Sequence, residues 1–561
     1  MADYYIAEDG DDGTGDGSSG NPYATMAPFT ETAGDTCHFR GNLRFTLYPL
    51  TGSDGSPITY QQWSGQDQAI FNGADVESSW TGPDGNSEYY ATNASKPIWV
   101  VDDGAILTEG TVGSLAAGEW GWDAGNTRVY VKDDPTSATM EISTRTYGIQ
   151  CSSKSWFDLT GLEVRYTEND GINIASIASG NVNITDCASK YTRYYNLKFY
   201  SLSGGTHVID NFEADTNKAL HGIGIYALSG SADVTLQNSS SHDIPAGHGL
   251  YTGSNSGGTF LIDSCSLYSN DDHGLYAATL SGGTLTIQDS SFYSNTQHGI
   301  YFSGVTGGDV DLRRNKVYDN TQYGIYLLNV TAANSFLAQF DLLYDNGATH
   351  AGLYLNNADD VEIYRCTFVD EYRGIYLAAT STGCDIDGCI VEGSTNHGYY
   401  ALTGSSPSID YCCGYDNTTN TYQDATTAWA AGTGNITTDP DFDDPASDDY
   451  HIPNDSPCRD TGVVKAGTST TDLDGEPADQ HVGPDMGCYE YQPSIVYADI
   501  DGGEVMQGTS GAAASQVVAL IGPIQLTADD YLRVQGKFDA EDAGTNWLSG
   551  KCTVSIHRVG D

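Results

Sequence analysis

The chain has 561 residues, with 75 acidic against 23 basic side chains and a formal charge of -52. A surface this negative repels phosphates and argues against nucleic acid or an anionic membrane as a partner. No apolar stretch is long enough to span a bilayer. The balance suits a soluble extracellular or virion protein, its acidic face either simply solvated or holding divalent cations.

In chain order, Met1-Ala2-Asp3-Tyr4-Tyr5 lacks the basic start and apolar run of a secretory signal. The expectation is that a signal was removed or that the protein leaves its cell without one, as on lysis. Residues 1–36 hold a strand at Tyr4-Tyr5-Ile6-Ala7 and a Gly/Asp-rich loop, read as a cap over the first repeat unit. Asp9-Gly10-Asp11-Asp12-Gly13 looks like a calcium loop, but the full ligand spacing of an EF-hand, with its closing Glu, is absent. Residues 37–150 are predicted to carry early repeat units and an inserted antiparallel module. There Glu119-Trp120-Gly121-Trp122-Asp123 and Arg128-Val129-Tyr130-Val131 read as a hairpin with a Gly-Asn turn. Trp80, Trp99, Trp120 and Trp122 are either local core or a set for stacking on sugars.

Residues 151–415 repeat a phrase of Gly, aliphatic and Tyr, usually led by His. It occurs as His248-Gly249-Leu250-Tyr251, His273-Gly274-Leu275-Tyr276, His298-Gly299-Ile300-Tyr301 and Tyr323-Gly324-Ile325-Tyr326. It continues at Gly352-Leu353-Tyr354, Arg373-Gly374-Ile375-Tyr376 and His397-Gly398-Tyr399-Tyr400, and the four central glycines are 25 residues apart. Half a period away, Cys187, Ser239, Cys265, Ser290, Asn315, Cys366, Cys389 and Cys412 align, and Asn270, Asn295, Asn320 and Asn346 form a third column. Between the anchors apolar and polar residues alternate with strand periodicity. Short strands, tight turns and this period predict an all-β solenoid with three strands per coil, in which every second side chain joins an axial column. The Cys column then reads as small buried thiols. Stacked neighbours can reach disulfide distance, but they lack metal-ligand spacing.

These phrases resemble the right-handed parallel β-helix of the pectate-lyase-like superfamily. Gly20-Asn21-Pro22-Tyr23-Ala24-Thr25-Met26 is similar to the opening of many such proteins, and the segment from Leu115 to Asp123 to a module near their start. Residues 416–492 resemble their closing segment, with Asp439-Pro440-Asp441-Phe442, Ser456-Pro457-Cys458-Arg459-Asp460 and Asp485-Met486-Gly487-Cys488-Tyr489-Glu490. Cys458 and Cys488 stand where the resemblance calls for small residues, and a disulfide between them is expected. Residues 493–561 read as a separate antiparallel β module with strands at Val517–Ile521, Tyr531–Phe538 and Cys552–Arg558. It resembles small sandwich-like units that trimerise phage tail proteins, with a carbohydrate-binding or docking module as the rival.

Alternation assigns the outward residues. Tyr226, Tyr251, Tyr276, Tyr301, Tyr326, Tyr354, Tyr376 and Tyr400 form one outward column, and Tyr268, Tyr293, Tyr318 and Tyr344 a second. Such ladders suit glycan binding by stacking and hydroxyl hydrogen bonds, burial against other protomers, or stacking that only stabilises the sheet. The His column (His221, His248, His273, His298, His397) is read as a turn feature, because Tyr323 and Arg373 take the same place. Asp309, Asp311, Arg313, Asp360, Glu362 and Asp385 are the catalytic candidates. Carboxylates one and two coils apart lie ~5 and ~10 Å apart, which brackets the separations used by glycosidases. With Arg313 and Arg365 the same cluster could hold Ca2+ and a uronic acid, as lyases do. No known lyase or hydrolase motif is present. The preferred expectation is a trimeric, glycan-binding protein of a virion surface, such as a phage tail-spike or fibre. An extracellular polysaccharide lyase or glycosidase comes second and a purely structural surface protein third.

Overall fold

The computed structural model describes residues 1–492 apart from 332–335, 379, 403, 406, 419–431, 466 and 479–482. Beyond these it describes the backbone of a hairpin formed by Ile495–Ala498 and Val505–Gly508. The strands expected at Val517–Ile521, Tyr531–Phe538 and Cys552–Arg558 lie outside the described residues.

Each repeat supplies strand to three faces, the third and first merging into one continuous 14-residue strand at Leu275–Gln288 and Ile300–Arg313, and each strand pairs in parallel with its counterpart one coil on. Leu250–Thr252, Asn255–Asp263 and Ser266–Tyr268 make one coil. It is followed by Leu275–Gln288 with Ser291–Tyr293, then Ile300–Arg313 with Lys316–Tyr318. The strands ending at Asp263, Gln288 and Arg313 belong to the first face of the shaft. Those ending at Tyr268, Tyr293 and Tyr318 belong to the second, and those opening at Leu250, Leu275 and Ile300 to the third. Every second residue fills the shaft: Ile262, Ile287 and Leu312 from the first face, Leu267, Phe292 and Val317 from the second, Leu250, Leu275 and Ile300 from the third, none more than 1% exposed. Burial of each such side chain contributes ~1.5–3 kcal/mol.

The corners explain the polar columns. Between first and second faces the chain turns on one left-handed residue, Ser264 (φ 54°), Asp289 (51°) or Arg314 (56°). The side chain after it accepts the backbone N–H of its counterpart one coil earlier: Ser290 Oγ from Cys265 (3.0 Å), Asn315 Oδ1 from Ser290 (3.2 Å), Asp341 Oδ1 from Asn315 (2.8 Å). Cys265, Ser290 and Asn315 therefore lie one above another, as the period requires. Between second and third faces the Asn column does the same work. Asn295 Oδ1 accepts both the N–H (3.2 Å) and the amide (2.9 Å) of Asn270, and the pattern repeats through Asn320 and Asn346 to the buried Glu371. Between third and first faces Gly307-Gly308 allows close stacking, since a Cβ on Gly308 (φ 94°) would lie 2.4 Å from the Gly283 carbonyl oxygen.

At the N-terminal end Asp3–Ala7 pairs in parallel with Thr36–Leu43 and so forms a rung of the helix itself. Ile58–Gln62 pairs directly with Phe157–Thr160, and Ala69–Asn72 with Leu162–Arg165. The residues between leave the shaft and return to it. They form two four-stranded sheets, and the predicted hairpin pairs Trp122 with Val129 and Asp123 with Arg128. Trp120 is in the core of this module and Trp99 is buried against Tyr191, so neither presents a ring to a sugar.

The closing segment folds back along the side of the last coils. Phe442, Tyr450, Ile452, Cys458, Met486 and Cys488 pack with Phe340, Tyr344, Tyr364, Ile390 and Cys413 of the shaft. Cys458 and Cys488 are both free thiols, which corrects the expected disulfide. They face different partners: the Cys488 N–H donates to Thr367 Oγ1 at 2.9 Å, while the Cys458 thiol meets that of Cys413. The thiols of the shaft column are likewise unbridged, the Cys412 sulfur accepting the Cys389 N–H at 3.3 Å.

Candidate functional site

On the first face one outward column reads Asp158, Asn183, Val208, Thr235, Leu261, Thr286, Asp311, Leu337, Glu362 and Asp385. The candidate acids are thus brought onto one line but in two groups, separated by Leu337. In the first group Asp309, Asp311 and Arg313 share a strand. Asp311 accepts the Gln339 amide at 2.8 Å and lies 3.4 Å from Arg313. In the second group Glu362 and Asp385 are register partners, while Asp360 sits at the corner before the strand with φ 52°. Lys465 of the closing segment reaches across this group, its Nζ 3.4 Å from Glu362 and 3.2 Å from both Asp385 and Asp387. An ammonium shared by three carboxylates occupies them and stands between this group and a substrate, which opposes a catalytic role. Arg365, expected near this cluster as a sugar ligand, is fully buried. It pairs with Glu490 at 2.5 Å and donates to the Ala478 carbonyl, so it anchors the closing segment.

The second-face tyrosines Tyr268, Tyr293, Tyr318 and Tyr344 are in register, with ring centroids 4.8, 4.9 and 4.8 Å apart and planes within 5°. On the third face Tyr251, Tyr276, Tyr301, Tyr326, Tyr354, Tyr376 and Tyr400 follow one another in register. Tyr226 is not of this column: Tyr251 pairs with Gly224, and Tyr226 with Tyr200. The second-face geometry narrows the chemistry further. In that stack each ring face is spent on its neighbour, and Tyr344 is buried under the closing segment, so a sugar meets ring edges and hydroxyls of Tyr268, Tyr293 and Tyr318 instead of open π-faces.

The His column is a second ladder, tucked against the third-face tyrosines. Each Nδ1 accepts the backbone N–H of the next coil: His221 from His248 (3.1 Å), His248 from His273 (3.4 Å), His273 from His298 (3.2 Å), His298 from Tyr323 (3.3 Å). Burial pushes these imidazoles below their ordinary value, to about 4 for His221 and about 3 for His248 and His298. Asp272 lies 3.2 Å from His248 Nδ1 and 3.5 Å from His273 Nε2, a spacing compatible with a metal ion. The lone pair of His248 Nδ1 is, however, already engaged by a peptide N–H. None of these histidines lies in the left-handed region, so the Nδ1 acceptor for the next coil's N–H, and not a tolerance of unusual backbone angles, accounts for the column along the axis.

Sequence reasoning missed a cleft of about 150 Å³ at the N-terminal end of the first face, lined by Asp54, Pro57, Trp156, Asp158, Asn181 and Asn183. Asn183 donates to Asp158 at 2.8 Å, and burial raises the Asp158 carboxyl. Its walls come from segments about a hundred residues apart, and no local pattern announces it. No helix among the described residues is long and apolar enough to cross a membrane.

The sequence model of a family described as a right handed beta helix region matches residues 147–304 and 304–428, half of the chain. The protein belongs to that family. Among solved structures this right-handed β-helix is similar to that in the complex of XylC with xylose, with TM-score 0.50 and 10% identity over 87% of this chain and 98% of the other. It is also similar to pectate lyase Pel9A, with TM-score 0.39 and 12% identity over 88% and 97% of the two chains. A glycoside hydrolase gives TM-score 0.39 and 9% identity over 74% and 96%. At these identities the likeness is one of fold. Among curated proteins, none matches this chain in sequence.

Proposed function

We propose that this right-handed β-helix binds a polysaccharide along the outside of its shaft, on the tyrosine-bearing second and third faces. The observation that carries the reading is the pair of in-register tyrosine columns, which set phenolic hydroxyls in rows parallel to the axis, one per coil. The coil spacing of ~4.8 Å is close to the length of one extended pyranose unit, so a glycan lying along the axis meets a hydroxyl at each sugar. A sugar complex of XylC, similar in fold, supports this class of ligand. The setting we favour is a virion-surface spike or fibre, assembled as a homotrimer. An extracellular lyase or glycosidase acting on the first face is the rival, and the hold of Lys465 on Glu362 and Asp385 weighs against it.

Replacement of Tyr276, Tyr293, Tyr301 and Tyr318 by Phe removes hydroxyls and leaves rings. Affinity electrophoresis in a polysaccharide panel should show retention of the parent and about tenfold weaker retention of the quadruple variant, a loss of about 1.4 kcal/mol. Equal retention with an unchanged melting temperature would refute the reading. Light scattering of the full chain should give three times the protomer mass; a monomer mass removes the trimer from it.

A further inference from the structure

The third face changes character at its N-terminal end, and we propose that this end is a subsite for an anionic pyranose, bearing carboxylate or sulfate. The proposal rests on the glycan reading above and names the kind of sugar that one end of the shaft selects.

The outward column that carries the tyrosines begins Gln150, Asn173, Lys198, Gly224 and only then Tyr251. Gly224 leaves room for two rings to pack over the column where later coils carry a tyrosine, because a Cβ there would lie 2.9 Å from ring atoms of both Tyr195 and Tyr226. Into that space the two phenols converge, their hydroxyls in direct hydrogen-bond contact. Lys198 stands one coil before the gap, its Nζ 4.9 Å from the Tyr195 ring centroid, 5.7 Å from that of Tyr226 and 5.8 Å from that of Tyr200. In a chain of charge -52 this ammonium rests on aromatic rings and makes no ion pair within 4 Å among the described residues. The neighbouring carboxyl, Asp170, is buried and accepts the Asn173 amide at 2.6 Å; burial raises it, while that amide and the charge of Lys198 pull it part of the way back.

Tyr200 completes the site. It is 51% exposed, and its aromatic neighbour, Tyr226, is 6.3 Å away and tilted by 51°, so no ring is stacked on it. This is the opposite of the ladder tyrosines and leaves a ring face for the apolar face of a sugar. A sugar seated there places an anionic substituent toward Lys198 for a charge-assisted hydrogen bond and a hydroxyl toward the phenol pair. A neutral sugar forgoes the contact with Lys198, and a free anion forgoes the platform.

The test is calorimetric titration of the full chain with oligogalacturonate, a sulfated galactan oligosaccharide and neutral xylo-oligosaccharide. The parent should bind at least one anionic oligosaccharide, more weakly as salt is raised. Lys198→Met and Tyr200→Ala should each weaken that binding about tenfold, with the melting temperature and any xylo-oligosaccharide binding unchanged. Which anionic probe binds tells carboxylate from sulfate. Anionic binding untouched by Lys198→Met, or binding of the neutral probe alone, would overturn the subsite and leave the glycan reading standing. Failure of the parent to bind any probe or polysaccharide would overturn both.

Discussion

Asp341 is where a column of small polar residues acquires a charge problem. Its Oδ1 accepts the N–H and the side-chain amide of Asn315 at 2.8 and 2.9 Å, while Oδ2 is buried with no hydrogen-bond partner. Burial lifts the carboxyl to about 7. The folded value lies above the unfolded one of about 3.9, so the folded state binds the extra proton. Its contribution to stability is full below pH ~4 and is lost as pH rises through about 7. Asp341→Asn keeps the acceptor and supplies a donor, as Asn315 does one coil earlier. Urea unfolding should show the variant more stable by ~1–3 kcal/mol at pH 8 and little changed at pH 4. Equal midpoints at pH 8 would refute this account.

Among elements, the closing segment is held by charge as much as by packing. Arg365 and Glu490 are both fully buried, and removing one partner of such a pair leaves the other charge stranded, at a cost of ~3–5 kcal/mol. Glu490→Leu should therefore raise hydrogen exchange across residues 436–492 while the coils before Asn315 keep their protection; uniform exchange throughout would show that shaft and segment open together. Little of this anchoring is legible in the sequence. The Gly-aliphatic-Tyr phrase and the Ile-x-x-Cys column announce the coils because each copy sees the same surroundings, and repetition writes those surroundings into the sequence. The partners of Arg365 and Lys465 are single long-range contacts that occur once, with no period to reveal them. The displacement of Tyr226 is hidden for a related reason: the coil before Tyr251 departs from the period of the central ones, and alternation alone does not fix register across such a change.

At the scale of the whole molecule, the shaft carries its own pH response. His221, His248, His273 and His298 stack at 4.5–4.9 Å and are kept neutral by burial, with folded values below the unfolded 6.5. Such groups favour folding above pH 6.5 and lose that contribution as pH falls through about 4 to 3, because four like charges would then have to share one stack. Melting temperature should fall steeply between pH 6 and 4, and less steeply in His248→Asn, since Asn brings no titrating group into the stack; a flat profile in the parent would exclude the ladder as the acid-sensitive element. The axial regularity that makes this stack is the same one that lines up the tyrosine hydroxyls, so solution acidity and ligand capacity report on one geometry.

The excursion between residues 73 and 144 has a practical side. Its entrance and exit meet: the N–H groups of Thr144 and Arg145 both donate to the Gly73 carbonyl at 2.9 Å, and the strands on either side pair as if nothing intervened. The shaft is thus continuous beneath the inserted module, and that doorway is a natural port for exchanging one insert for another, provided the replacement covers Tyr166 and Tyr191 as Trp99 does.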